Sequence, residues 1–145
     1  ALRGKEKENF KLLPFIREVE KLTDRLKMDP EMLHRNVNDG FSGGERKKNE
    51  ILQMCILKPK IVLLDEIDSG LDVDSLRLVG ENVMEYYKEN KPAILLITHY
   101  HRLLEYIKPN YIHIMNDGHI IKSGDENLVY EIEKKGYSKI EEENE

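Results

Sequence analysis

Tryptophan is absent and cysteine occurs once, at Cys55, in 145 residues. A single cysteine excludes an intrachain disulfide framework. Cys55 falls on an apolar helical pattern and is expected to be buried as a small hydrophobe. Long apolar runs are also missing; none approaches the roughly 20 residues that cross a bilayer. No apolar signal segment follows the opening Ala1-Leu2-Arg3-Gly4, and no initiator methionine is present, so a processed or excised chain is expected. Positive charge is in deficit: 23 Lys and Arg face 28 Asp and Glu, for a net charge of −5. That balance argues against non-specific affinity for nucleic acid or anionic membranes. Charged residues make up 35% and mean hydropathy is −0.60, which gives a well-solvated surface. The length suffices for one domain with a real core. No internal repeat is present.

Two stretches stand out. Phe41-Ser42-Gly43-Gly44-Glu45 is a polar Gly-Gly turn opening a helix. Ile61-Val62-Leu63-Leu64-Asp65-Glu66 is an apolar run ending in two carboxylates. Four consecutive β-branched or Leu residues without polar alternation predict a strand buried on both faces, as in a parallel sheet. In open α/β sheets ligands sit outside the carboxyl ends of such strands, where Asp65 and Glu66 fall. One carboxylate there could organise Mg²⁺ and the other could orient or deprotonate a water. A strand-end acidic pair can equally do no more than cap the next turn. Ser42 with Glu45 makes a capping box, which by itself only starts a helix. The adjacent glycines remove Cβ atoms, so backbone N–H groups at the helix N-terminus could close on an anion.

Further along, Ala93 to Thr98 is a second continuous apolar strand, also expected to be buried on both faces. A helix from about Ser75 to Asn90, with Leu76, Gly80, Val83 and Tyr87 on one side, separates it from the first. Strand, helix and strand over about 30 residues form a βαβ unit with parallel strands. Asp65, Glu66 and His99 are therefore expected at one sheet edge. Phe15 to Leu26 and Glu31 to Arg35 read as helices, the second capped by Asp29-Pro30. Glu45 to Leu57 is a helix whose apolar face is Ile51, Met54 and Cys55. Arg46, Lys47 and Lys48 are either a solvated face or an aid in holding a phosphate or partner. His101 to Ile107 is a short helix. Asn116-Asp117-Gly118 joins two strands, Tyr111 to Met115 and His119 to Lys122, as a hairpin. Glu126 to Lys135 is a last helix ending at Gly136. Residues 1–9 read as a frayed end and 141–145 as an acidic tail.

These motifs resemble those of ATP-binding-cassette ATPases. Phe41 to Glu45 is similar to their signature motif, Ile61 to Glu66 to the Walker B strand, Ser69-Gly70-Leu71-Asp72 to the D-loop, and Ile97-Thr98-His99 to the switch-histidine strand. Ile67-Asp68, where most cassettes carry Pro-Thr, resembles the SufC family, the cassette ATPases of iron–sulfur cluster assembly. So do Gly40 to Met54, Thr98-His99-Tyr100, Tyr106 to Pro109 and Lys122 to Asp125. The likeness runs from about Leu26 to Tyr137.

The resemblance implies an α/β fold: the C-terminal part of a cassette nucleotide-binding domain, with parallel strands, helices, a β-hairpin and a last helix. It implies a division into 1–44, the end of a helical subdomain; 45–125, catalytic core; and 126–145, C-terminal helix and tail. It implies ATP and Mg²⁺, with Asp65 holding the metal, Glu66 as general base or water-positioning group, and His99 contacting the γ-phosphate. Ser42, Gly43, Gly44 and Glu45 would close on ATP held by a second subunit, and Ser69 and Asp72 would link the two sites. Implied partners are that second subunit and SufB- and SufD-like scaffolds, with neither nucleic acid nor membrane insertion. Asn36-Val37-Asn38 and Ile112 to Met115 resemble plastid-type forms, so a plastid-like organelle is the implied location, or else the bacterial cytoplasm.

One absence gains weight here. No Gly-x-x-x-x-Gly-Lys-Ser/Thr occurs in the chain. That loop supplies most ground-state affinity for ATP in such enzymes. The chain is thus expected to correspond to a C-terminal half that is inactive alone, with an exposed sheet edge and apolar surface. Three other readings are open. A transporter's nucleotide-binding subunit is disfavoured by Ile67-Asp68. A chromosome-organising or DNA-repair cassette ATPase is disfavoured by the negative charge and the short helix before the signature. A non-catalytic module presenting only its signature face is disfavoured by Glu66 and His99.

Overall fold

The computed structural model describes residues 11–136, and the expected frayed start and acidic tail lie outside them. The chain divides into two units, Ala1–Tyr106 and Ile107–Glu145.

In the first unit, α1 spans Leu12–Arg25, and a 3-10 turn follows at Pro30–His34. Asp29 caps that turn by accepting from the Glu31 N–H, as Ncap Asp before Pro should. The next helix, α2, spans Gly43–Leu57 behind a Ser42 N-cap, two residues earlier than the sequence reading placed it. It ends at Lys58, whose φ of 47° supplies a left-handed cap before Pro59. Strand β1 covers Ile61–Asp65, α3 covers Val73–Asn90, and β2 covers Ala93–Ile97. A 3-10 turn at His101–Glu105 closes the unit. Helix α1 packs on α2, and α2 on α3.

Strands β1 and β2 pair in parallel, with Asp65 opposite Ile97. This is the expected βαβ unit. The expectation of burial on both faces is not met. Val62 and Leu64 are buried, but Leu63 is 72% and Leu95 56% exposed, with Ile61 and Ile97 also open. A strand's apolar run records what it is able to bury; among the described residues only two strands form this sheet, and one face has no cover. The expected apolar surface is therefore present.

The core of this unit gathers Leu26, Ile51, Leu76, Val79, Val83 and Tyr86. Tyr86, 2% exposed, is the aromatic that α3 buries, where the sequence pattern pointed to Tyr87. Its hydroxyl donates to the Pro59 carbonyl at 2.7 Å, which fixes α3 against the entry to β1. Tyr87 is half-buried, with the Lys91 ammonium 5.2 Å from its ring centroid. The two stripes differ by less than one residue's rotation about the helix, and the hydroxyl's partner selects Tyr86. Cys55 is buried as expected, and burial pushes its thiol pKa up despite the Arg25 guanidinium nearby.

In the second unit, β3 (Ile112–Asn116) and β4 (His119–Gly124) form an antiparallel hairpin. Asp117 and Gly118 both take positive φ, 44° and 78°, as a two-residue primed turn requires. Helix α4, Asn127–Lys135, lays Leu128 against Ile114, with Ile112, Ile121 and Ile132 around them. Lys122 reaches Glu131 on α4 at 2.8 Å.

Candidate functional site

The carboxyl edge of β1 and β2 holds three of the expected site residues, Asp65, Glu66 and His99. Asp65 is the last residue of β1, and Glu66 follows as the chain leaves the strand. The Glu66 amide donates to the Ile97 carbonyl at 2.9 Å, extending the pairing one step beyond the sheet. Glu66 has a φ of 45°, a left-handed conformation that costs a non-glycine residue about 1–2 kcal/mol. Strain of this kind persists only where the surroundings fix it. Here it turns Glu66 back over the edge, where its Oε1 lies 3.6 Å from the His99 Nδ1. Both side chains are solvent-exposed, at 56% and 70%. At that separation they make no hydrogen bond, and the contact is electrostatic only when His99 is protonated.

The helix facing this edge opens with the capping box that the sequence indicated. The Ser42 Oγ accepts from the Glu45 N–H at 3.3 Å, and the Glu45 Oε2 accepts from the Ser42 N–H at 2.8 Å. These backbone and side-chain bonds from Ser42 hold the Glu45 carboxyl below its ordinary pKa. A Cβ built on Gly43 would meet nothing within 4 Å, and one on Gly44 only the Leu71 Cδ2 at 3.7 Å. Neither position has positive φ. Packing among the described residues therefore requires glycine at neither place.

Between the start of α2 and the end of β1 lies a cleft of about 410 Å³, lined by Gly43, Arg46, Lys47, Glu50, Asp65, Glu66 and Ser69. The structure so brings together Gly43, Asp65, Glu66 and Ser69, sets His99 beside Glu66, and leaves Ser42, Gly44 and Glu45 on the rim turn. Asp72 does not line this cleft. It is the N-cap of α3, and its Oδ1 accepts from the Ser75 N–H at 2.7 Å.

The basic run does not form one solvated face. The Arg46 Nε donates to the Phe41 carbonyl, Lys47 lies 3.5 Å from Glu50 on the cleft wall, and the Lys48 Nζ donates to the Lys27 carbonyl. Sequence reasoning also passed over Asp68, except as a family marker. It is 6% exposed, and its Oδ2 accepts from the Thr98 hydroxyl at 2.9 Å. No local signal marked its burial, since it stands in a run that also holds Asp65, Glu66 and Asp72.

The cap bonds set a pH dependence. The Ser75 amide lowers the Asp72 pKa. A carboxylate with a depressed folded pKa contributes stability that is complete above its unfolded pKa and is lost as pH falls through the folded one. Asp72→Asn keeps a good cap that does not titrate. Wild type is therefore expected to lose stability faster than Asp72→Asn on descending through about pH 4. Urea melts at a series of pH values check this; parallel pH profiles would contradict it.

No family model matches the sequence. A probable ATP-dependent transporter ycf16 of Cyanophora paradoxa is 54% identical over 131 residues, covering 90% of this chain and 50% of that protein. A probable ATP-dependent transporter SufC of Escherichia coli is 50% identical over 77% of this chain and 45% of its own length. An iron–sulfur cluster assembly protein SufC of Plasmodium falciparum is 57% identical over 78% of this chain and 32% of its own length. The chain spans about half the length of the first of these relatives. Among solved structures, a nucleotide-free ATP-binding cassette of a transporter superposes with a TM-score of 0.67 at 20% identity, over 97% of this chain and 56% of the other. The ADP conformation of another transporter's ATP-binding cassette gives 0.65 at 21%, over 91% and 51%. The chain is homologous to the C-terminal part of the SufC and ycf16 proteins, and it has the α/β fold of that part of an ATP-binding-cassette nucleotide-binding domain.

Proposed function

We propose that the chain is the water-activating half of an ATP hydrolase that drives iron–sulfur cluster assembly. The observation that carries this is the meeting of Glu66 and His99 beside Asp65 at one parallel-sheet edge, across a cleft from the glycine start of α2. Glu66 is the general base or water-positioning group. Its exposure leaves it free to reach a water, and its strained backbone aims it. His99 contacts the terminal phosphate. Asp65 is the single carboxylate for a magnesium ion. Among the described residues no three His, Cys, Asp or Glu side chains gather as a metal cage. That donor set fits an ion that keeps most of its waters and arrives on nucleotide phosphates. Bound there, the ion would neutralise phosphate charge.

Ser42, Gly43, Gly44 and Glu45 serve a nucleotide held by a second copy. Support comes from the glycines: nothing among the described residues needs them, and two missing Cβ atoms leave room for an anion approaching from outside. Ser69 and Asp72 belong to the same inter-subunit contact. Asp72 would reach it as part of the α3 cap. The functional division stays at 1–44, 45–125 and 126–145. Partners are the second subunit and SufB- and SufD-like scaffolds. The site is a plastid-like organelle or the bacterial cytoplasm, supported by relatives bearing ycf16 names and by bacterial ones. No helix among the described residues is long and apolar enough to cross a membrane.

The transporter names of several relatives favour a second reading, a nucleotide-binding subunit of a transporter. Co-purification separates the two, since only the first expects soluble scaffold subunits. Titration of the 145-residue chain with MgATP is expected to show no micromolar binding, because no phosphate-wrapping Gly-x-x-x-x-Gly-Lys-Ser/Thr loop is present. Tight binding by this chain would overturn the assignment of its role.

A further inference from the structure

Glu66 and His99 touch only at 3.6 Å, and both are exposed. So loose a pair cannot set its own geometry; the backbone on each side must do so. On one side the Glu66 amide is tied to the Ile97 carbonyl. On the other side lies Asp68. Its Oδ2 accepts from the Thr98 Oγ1 at 2.9 Å, and the same Oγ1 accepts from the Tyr100 N–H at 2.9 Å. The three groups form a short relay. Asp68 orients the hydroxyl, the hydroxyl holds the Tyr100 amide, and the residue enclosed is His99. Asp68 itself sits in a closed turn, where the Ser69 amide donates to the Glu66 carbonyl and the Leu71 amide to the Asp68 carbonyl.

We propose that Asp68 is a positioning residue that clamps the Thr98–Tyr100 turn to the Glu66 turn and so sets the distance between Glu66 and His99. Burial is what gives the clamp its strength. Asp68 is 6% exposed, so water competes little for the bond from Thr98. Its second oxygen, Oδ1, has no hydrogen-bond partner among the described residues. A buried carboxylate so incompletely satisfied is costly to keep for stability alone. The inference rests on the proposed hydrolase role, because only there does the Glu66–His99 distance matter.

The test uses the full-length protein, with Asp68→Ala, Asp68→Asn, Thr98→Val and the Asp68→Ala/Thr98→Val double variant beside Glu66→Gln. Asp68→Ala is expected to lower kcat about tenfold and to leave KM for ATP within about twofold, as a misplacement without a lost substrate contact does. Amide exchange at Tyr100 is expected to quicken about tenfold in the same variant. Asn keeps an acceptor oxygen for Thr98, so Asp68→Asn is expected to stay within about threefold of wild type in both readouts. The double variant is expected to be no slower than the worse single one, since both break one relay. Wild-type kcat and Tyr100 exchange in Asp68→Ala, with Glu66→Gln inactive, would overturn the clamp and leave the hydrolase role standing. Equal losses in Asp68→Asn and Asp68→Ala would also overturn it, by showing that charge and not the bond to Thr98 matters. Glu66→Gln hydrolysing at the wild-type rate would instead remove Glu66 from the reaction, and the clamp with it, whereas a full-length wild type without ATP hydrolysis would overturn the hydrolase role. Should Asp68→Ala fail to fold, Thr98→Val and Asp68→Asn decide the matter through the same two readouts.

Discussion

Replacing Glu66 with glutamine in the full-length protein is expected to lower ATP turnover by about 10²–10⁴-fold, the usual contribution of a positioned general base. Affinity for ATP is expected to change by no more than about twofold, because the change removes a base and leaves the phosphate contacts in place. The position supports so large an effect. Glu66 follows the last residue of β1, in the crevice where parallel sheets place their ligands. Its left-handed backbone is paired to Ile97, so the side chain is held over the edge by the main chain. Glutamine preserves that backbone and the side chain's shape and removes only the ability to take a proton. Single-turnover hydrolysis and equilibrium nucleotide binding separate the two effects. Undiminished hydrolysis would remove Glu66 from the reaction.

The second large effect is on stability. Tyr86→Ala is expected to destabilise the protein by about 3–5 kcal/mol, the range for deleting a buried aromatic side chain. Tyr86 is 2% exposed, and its hydroxyl donates to the Pro59 carbonyl at 2.7 Å. Truncation loses the ring's burial and leaves that carbonyl without its partner. Tyr86→Phe keeps the ring and is expected to cost about 1 kcal/mol, the net worth of one hydrogen bond. Equal values for the two variants, or a cost for Tyr87→Ala matching that of Tyr86→Ala, would contradict the packing described for α3. Urea denaturation measures all three.

The part of the fold that local chemistry dictates was legible in the sequence. Ser42 and Glu45 announce a capping box, Asp117-Gly118 a hairpin, and two apolar runs around α3 a parallel pair with Asp65, Glu66 and His99 at one edge. Each depends on residues within a few positions or on a chain length that allows one connection. What depended on distant contacts was not legible. Leu63 and Leu95 are apolar enough for a buried strand, yet burial is decided by what lies over them. Tyr86 and Tyr87 satisfy the helical period almost equally, and only the Pro59 carbonyl, 27 residues away in sequence, separates them. The Asp68–Thr98 bond spans 30 residues and leaves no periodic trace. Arg46, Lys47 and Lys48 look alike as a charge run, but successive helical positions turn them to three different partners.

Under the proposed function, Asp65, Glu66 and His99 are one half of a nucleotide site that a phosphate-binding loop would complete. The coding sequence immediately upstream of Ala1 tests it most directly. An in-frame phosphate-binding loop and a following glutamine are expected there within about 150 residues, an ordinary size for one domain. A stop codon or an unrelated segment there would contradict it and would leave a chain that offers only its signature face to a partner.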